Sequence, residues 1–305
     1  MRGVVLVVLA TLCFIVMNGS AKYLAWHLPV VEIIWARSLG HLILVVVLFG
    51  PRRGGWGLLT TSKPVIQLSR SLLHLISNAL FFSAIGLVPL ADATSVSFTA
   101  PLMVVALARP LLGERVHWTH WLAIGAGFFG ALILIRPTGD GINPYLLLIL
   151  GSSACSATYQ ILTRKLAGID SPETSVTYTT ILGAVVFSAM VPFWWRPPTQ
   201  LTHWFLLGAL GLLGGIGHYC VARALSWAPA SVVSPFYYVQ LVWASALGYL
   251  IFGDVPSGWT WLGAVIIITS GLYIAWRATS RSDRYDGKGF LREEEVDLSR
   301  VNPGS

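Results

Sequence analysis

The chain has 305 residues, of which 55% are hydrophobic and only 11% charged, with a mean hydropathy of +0.71. A soluble domain carries about 25% charged residues, so no single water-facing core can hide this much apolar surface, and the solvent is lipid. The net charge of +7 does not indicate a nucleic-acid partner, because the basic residues fall in short loops and the tail, as membrane topology demands.

A membrane-spanning helix needs about 20 mostly apolar residues. Ten such segments are predicted: 3–21, 30–49, 66–86, 91–112, 118–135, 144–163, 172–193, 204–226, 231–252 and 259–276. The first could pass for a signal peptide, with Arg2, an apolar run and small residues at Gly19-Ser20-Ala21. It is read as a retained helix, because an internal repeat needs one there. The cysteines, Cys13, Cys155 and Cys220, all lie in apolar runs without metal-ligand or disulfide spacing and read as small apolar fillers. From about Arg277 onward the charges crowd together, and 278–305 reads as a solvated, disordered tail.

The repeat is most visible between Pro89 and Trp121. At an offset of 140, Pro89 returns as Pro229, Phe98 as Tyr238, Gly113-Glu114 as Gly253-Asp254 and Trp121 as Trp261. Lys22 and Pro29 return at 143 as Lys165 and Pro172. Two homologous halves, 1–136 and 142–277, each hold five spans. Five is odd, so the second half enters from the opposite side and the repeats are inverted, an arrangement that places a binding site between them near mid-membrane.

Lys and Arg set the orientation. With the N-terminus inside, the inner loops hold Arg52, Arg53, Lys63, Arg115, Arg164 and Lys165, while the outer loops hold Lys22, Arg136 and Arg196. Both termini are therefore expected in the cytoplasm. Tryptophans such as Trp26, Trp118, Trp194 and Trp276 fall at span ends, where amphipathic rings sit.

The polar residues within spans narrow the function. The acids that fall within spans, Glu32, Asp92 and Glu173, all lie at span ends, so the usual mid-membrane carboxylate for proton or sodium coupling is missing. There is no His-Glu-x-x-His, Gly-x-Ser-x-Gly or phosphate loop, so neither enzyme, metal nor cofactor chemistry is expected. Arg37 with His41, and Arg70 with His74 and Asn78, each share a helical face at spacing four. They read either as interhelical anchors or as groups lining an aqueous cavity. Asn78 and His218 are equivalents at the 140 offset, both near mid-span. Hydroxyls line the sixth and seventh spans, including Tyr159 and Tyr178, and serve either as helix glue or as ligand contacts. Phe98 and Tyr238, with Gln240 and Trp243, suit an amphipathic organic ligand better than a bare ion. Pro101 and Pro235 can each free a carbonyl and kink a helix, as gating hinges. The expected substrate-binding set is His74, Asn78, Phe98, Tyr159, Tyr178, His218, Tyr238, Gln240 and Trp243, although an ideal helix cannot aim the last three all inward.

The run Ala84-Ile85-Gly86-Leu87-Val88-Pro89-Leu90-Ala91-Asp92-Ala93, then Pro101, Gly113-Glu114-Arg115 and Trp121, resembles the drug/metabolite transporter superfamily, EamA type. The second copy reads Ala222-Arg223-Ala224-Leu225, Pro229-Ala230, Gly253-Asp254 and Trp261-Leu262-Gly263, departing by Asp for Glu at 254 and Leu241 in place of Pro101. The resemblance covers about residues 5–277. It implies an all-α membrane protein of ten transmembrane helices in two inverted five-helix repeats, in the bacterial inner membrane, moving a small organic solute by alternating access. Members similar to this chain move amino acids, drugs, nucleosides or S-adenosylmethionine, and the aromatic lining best suits export of amino acids, aromatic ones included. The alternatives are an uptake permease for a nucleoside-like or S-adenosylmethionine-like metabolite, and a membrane-embedded enzyme or accessory subunit. The expected partners are the small-molecule substrate and the lipid bilayer, with the chain a monomer or homodimer.

Overall fold

The computed structural model of the chain describes residues 2–53, 55–113, 118–135, 143–166, 169–227 and 234–277. Its helices are α1 (Arg2–Ala25), α2 (Val30–Arg53), α3 (Pro64–Ile85), α4 (Leu90–Ser97), α5 (Thr99–Leu112), α6 (Trp118–Ile135), α7 (Pro144–Leu166), α8 (Pro172–Trp194), α9 (Leu201–Trp227), α10 (Val239–Phe252) and α11 (Gly258–Arg277). Counting α4 and α5 as one span, nine are long and apolar enough to cross a membrane, and a shorter apolar helix over Phe236–Phe252 makes ten among the described residues. The tail at 278–305, Glu114, Arg115 and Pro229-Ala230 lie outside the described residues, as do the side chains of Ala222 and Pro235.

Local chemistry explains the element ends. Proline opens α3, α7 and α8, where its missing N–H would have no helical partner in any case. Ser171 accepts from Thr174 N at 3.1 Å and caps α8, and Ser257 does the same for Thr260 in the first turn of α11. Gly113 and Gly253, 140 residues apart, adopt φ +70° and +69° and end α5 and α10. Each donates its N–H back into the last turn, a left-handed cap that glycine forms at least cost. The two halves therefore share backbone conformation as well as residue type at this position.

The fourth span breaks at Phe98, between α4 and α5. Pro101 has no N–H to give to the Ser97 carbonyl and its ring crowds that group, so the kink falls on the N-terminal side of the proline. In the second half the equivalent segment, Ser234–Tyr238, is a 3₁₀ turn leading into α10.

Packing between the halves is reciprocal. Helix α1 packs on α9 and α3 on α7; α5 packs on α7 and α1 on α10; α2 packs on α8. A two-fold relation between equivalents requires this pattern. Glycines bring the halves together at two places. A Cβ at Gly211 in α9 would lie 2.4 Å from Gly40 Cα in α2, and one at Gly263 in α11 would lie 2.6 Å from the Gly130 carbonyl oxygen in α6. Small residues at such crossings allow the backbone contact that holds membrane helices together in the absence of a water-driven force.

The outward faces carry the apolar surface expected of lipid contact, including Val47, Phe129, Phe205 and Leu250, each more than half exposed. Trp26, Trp118, Trp194 and Trp276 are also more than half exposed, at helix ends. Helix α1 is packed into the bundle: Val7, Ala10, Ile15, Ala21 and Leu24 are wholly buried.

Candidate substrate cavity between the halves

A cavity of about 260 Å³ lies where α2, α3, α7, α8 and α9 meet. Its polar lining is Arg37, Ser38, His41, His74, Asn78, Tyr159, Thr179, Thr180 and His218, and Ile34, Leu75, Val176, Gly183, Phe187 and Val221 complete the wall. Both halves contribute. Asn78 and His218, equivalents 140 apart, face it together, as do Arg37 and Thr180, equivalents at 143. The cavity therefore straddles the relation between the repeats. No carboxylate is among its described lining residues.

The close approach of α2 and α9 at Gly40 and Gly211 determines the geometry of two imidazoles. His41 and His218 stack with centroids 5.4 Å apart and planes within 4°. A Cβ at Gly215 would touch His41 Cδ2 at 3.4 Å. Phe14 meets His218 edge-on at 5.0 Å, and His74 packs on Tyr159 at 5.0 Å. Asn78 Nδ2 donates to the His74 carbonyl one turn back, at 2.9 Å.

The two buried arginines, alike in sequence setting, differ in structure. Arg70 is 1% exposed and has a partner for each guanidinium nitrogen. Its Nε donates to Thr163 Oγ1 at 2.9 Å, Nη1 to Gln67 Oε1 at 2.9 Å and to the Ser175 carbonyl at 2.7 Å, and Nη2 to the Tyr159 hydroxyl at 2.9 Å. Arg37 is 7% exposed, and its buried Nε has no hydrogen-bond partner among the described residues. Its guanidinium lies over the Phe82 ring, 5.5 Å from the centroid. Leaving a buried charged donor unpaired costs about 1–3 kcal/mol or more, and a cation near the middle of a membrane costs roughly 2.5–3.5 kcal/mol even on the lenient scale. Hydrogen bonds from the protein repay that cost at Arg70; at Arg37 the described residues offer only the Phe82 ring face.

Polar clusters lie at both ends of the bundle. At one end Lys22 Nζ donates to Asp254 Oδ2 at 2.5 Å and to the Val88 carbonyl at 2.8 Å. At the other, Arg70 and Gln67 continue to Asp170, which accepts from Gln67 Nε2 at 2.8 Å and Thr61 Oγ1 at 2.5 Å. Burial pushes the Asp170 carboxyl up, but the donors Thr61, Gln67 and Ser62 N–H outweigh it and hold it below its ordinary value.

Of the nine residues expected at the site, His74, Asn78, Tyr159 and His218 line this cavity. The other five lie elsewhere. Tyr178 turns its hydroxyl to the Leu59 carbonyl at 2.9 Å and pins the 3₁₀ segment Gly55–Leu59 to α8. Phe98 and Tyr238 meet each other edge-on at 5.0 Å, with the Tyr238 hydroxyl against Gly271 of α11. Equivalents in mutual contact sit on the pseudo-two-fold axis, but here outside the cavity. Gln240 and Trp243 lie on α10, and Trp243 packs against the apolar cluster that includes Ile15, Ile34, Phe82 and Leu210. Of the hinge prolines, Pro101 is exposed beside the break at Phe98. Sequence reasoning left Arg37 and His41 out of the site; their shared helical face was the available signal.

The EamA-like transporter family model matches the chain twice, over residues 1–136 and 143–276. The chain belongs to the EamA-like transporter family. It is a multi-pass membrane transporter with the all-α fold of two inverted five-helix repeats. It is 30% identical over 290 residues to a riboflavin transporter of Vibrio cholerae, covering 93% of this chain and 96% of that protein. An S-adenosylmethionine uptake transporter of Rickettsia bellii is 29% identical, covering 84% of this chain and 87% of that one. A pseudopaline exporter of Pseudomonas aeruginosa is 29% identical, covering 88% and 94%. A solved crystal structure superposes with a TM-score of 0.61 at 20% identity over 90% of this chain and 98% of its own, a likeness of fold.

Proposed function

We propose that this EamA-type transporter binds its solute in the cavity between the repeats and carries it across the bacterial inner membrane by alternating access, exporting amino acids, aromatic ones included, or related metabolites. The observation that carries the reading is a cavity lined by equivalents from both halves, Asn78 with His218 and Arg37 with Thr180. At about 260 Å³ it falls just below the roughly 300–1,000 Å³ of sites for drug-sized ligands, which favours an amino-acid-sized solute. Imidazole, amide and hydroxyl groups among Phe187, Leu75 and Ile34 hold an amphipathic molecule without an acidic anchor. In this reading the protein changes nothing in its solute. Both termini lie in the cytoplasm and the Lys22–Asp254 end faces outward, as the Lys and Arg bias of the loops supports.

A second reading, uptake of a nucleoside-like or S-adenosylmethionine-like metabolite, is favoured by the relative named as an S-adenosylmethionine uptake transporter and by the one named as a riboflavin transporter.

The test is flux through sealed proteoliposomes of pure full-length protein, with labelled L-phenylalanine, S-adenosylmethionine and riboflavin. A carrier moves one of them unaided and unchanged. Chemical alteration of the solute, or no flux of any of the three, counts against it. Growth of an amino-acid-sensitive strain separates export from uptake. Reporter fusions after Trp276 and within 137–143 are expected to report opposite sides.

A further inference from the structure

We propose that the Arg37 guanidinium is the anchor for a carboxylate in the central cavity, so that the solute is an organic monocarboxylate. The proposal rests on reading this cavity as the solute site.

Arg37 is held by packing, with Phe82 of α3 under its guanidinium and Gly214 of α9 close by, where a Cβ would stand 4.0 Å from Nε. No hydrogen bond ties its Nε to the described protein, whereas Arg70, one helix away, spends its donors on Thr163, Gln67, Ser175 and Tyr159. The guanidinium is a rigid fork of donors that remains charged and matches a planar carboxylate in bidentate fashion. Among the described lining residues no acid opposes its charge and there is no lysine. A single fixed positive charge is balanced by a monoanion. A dianionic phosphate would overcompensate it, and a cation would be repelled.

The walls agree with this assignment. His41, His74 and His218 can each, as neutral imidazole, donate one hydrogen bond and accept another, so they can contact the rest of the solute while the guanidinium fork takes its carboxylate. Thr179 and Thr180 donate to backbone carbonyls of their own helix, which leaves their hydroxyl oxygens to accept from an ammonium or hydroxyl on the same molecule. The relatives' named cargoes do not decide the matter, because riboflavin carries no carboxylate and S-adenosylmethionine does.

The experiment is binding to detergent-solubilised full-length protein, first by thermal shift over the common L-amino acids, phenylacetate, phenyl phosphate and riboflavin, then by titration calorimetry. At least one carboxylate should stabilise the protein, and its own primary amide should bind roughly tenfold or more weakly, as loss of a charge-assisted pair implies. Arg37→Gln should abolish that difference and Arg37→Lys should retain part of it. The carboxylate–amide comparison needs no variant, so misfolding of Arg37→Gln cannot hide the result. The assignment is overturned if no carboxylate binds, if amides, phenyl phosphate or riboflavin bind as well as carboxylates, or if folded Arg37→Gln keeps the carboxylate preference. A carboxylate that binds through Arg37 but does not cross sealed proteoliposomes would leave the site standing and remove the carrier reading. A riboflavin flux insensitive to Arg37→Gln would do the reverse.

Discussion

Asp254→Asn tests the ion pair at the Lys22 end. Lys22 Nζ meets Asp254 Oδ2 at 2.5 Å and the Val88 carbonyl at 2.8 Å, 4.9 Å from the centroid of the Phe252 ring. The lysine side chain is 4% exposed and the aspartate 25%. The substitution keeps the shape and removes the charge, leaving a buried ammonium with one carbonyl and a ring face. Removing one partner of a buried pair costs roughly 3–5 kcal/mol. Asp254 is partly open to solvent, so about 3 kcal/mol is expected, which corresponds to a fall in melting temperature of roughly 5 °C for a chain of this length. The double replacement Lys22→Met with Asp254→Asn removes the stranded charge and should recover most of the loss, because an apolar residue of similar volume is close to neutral at such a site. Thermal unfolding of the purified protein in detergent, completed as a double-mutant cycle, gives the coupling energy. If Asp254→Asn melts like wild type, or if the double variant is as unstable as the single one, the pair is not buried in the sense argued here.

Gly211→Ala should destabilise by about 1–3 kcal/mol, the cost of overpacking, since its Cβ would lie 2.4 Å from Gly40 Cα; Gly208→Ala, with nothing within 4 Å, should be neutral or stabilising in the same melting assay. Gly271→Ala should lower the melting temperature because its Cβ would lie 2.0 Å from the Tyr238 hydroxyl, and Tyr238→Phe, which leaves Cζ 3.3 Å away, should rescue it. Asp170 has a folded value below its ordinary one. Its contribution to stability is therefore fully present above the unfolded aspartate value of about 3.9 and is lost as pH falls through the lower folded value. Asp170→Asn should flatten this part of the pH dependence of melting, and an unchanged profile would show that Asp170 is not its source.

What could be read from the sequence was whatever the repeat repeats. Ten apolar segments, Gly113 and Gly253 at helix ends, and the pairing of Asn78 with His218 all follow from local chemistry or from comparing one half with the other. The fates of individual polar side chains did not follow. Arg37 and Arg70 occupy the same setting, an arginine with a histidine four residues on, yet Arg70 is satisfied by Tyr159, Thr163 and Ser175, 89 to 105 residues away. Only the packing of α3 against α7 and α8 brings these together. Tyr178 belongs to a hydroxyl-rich face whose ligand-lining role was read from composition, but its hydroxyl follows the Gly55–Leu59 turn, which no periodicity in α8 encodes. Phe98 and Tyr238 are equivalents at similar depth, as the offset implies. The break at Phe98 turns them toward each other and α11 instead of toward the cavity.

The two polar clusters place stability and transport in tension. Each joins the first half to the second: Lys22 of α1 to the end of α10, and Arg70 of α3 to α7 and α8. In the proposed cycle the cavity opens to one side only when the cluster at that end separates, so these contacts are both what holds the halves together and what the solute must help to break. They are unequal. The Lys22 end has one ion pair and one carbonyl, while the Arg70 end has three bonds from one guanidinium to the second half and a further relay through Gln67 to Asp170 and Thr61. Net contributions of about 1.5–3 kcal/mol per charged hydrogen bond make the Arg70 end the costlier one to open. A bound solute can shift that balance only by its differential affinity for the two states. Arg37 in α2, beside both α8 and α9 and with its Nε free of hydrogen bonds to the described residues, is well placed to supply it, because filling its donors changes the energy of the interface along which the halves must move.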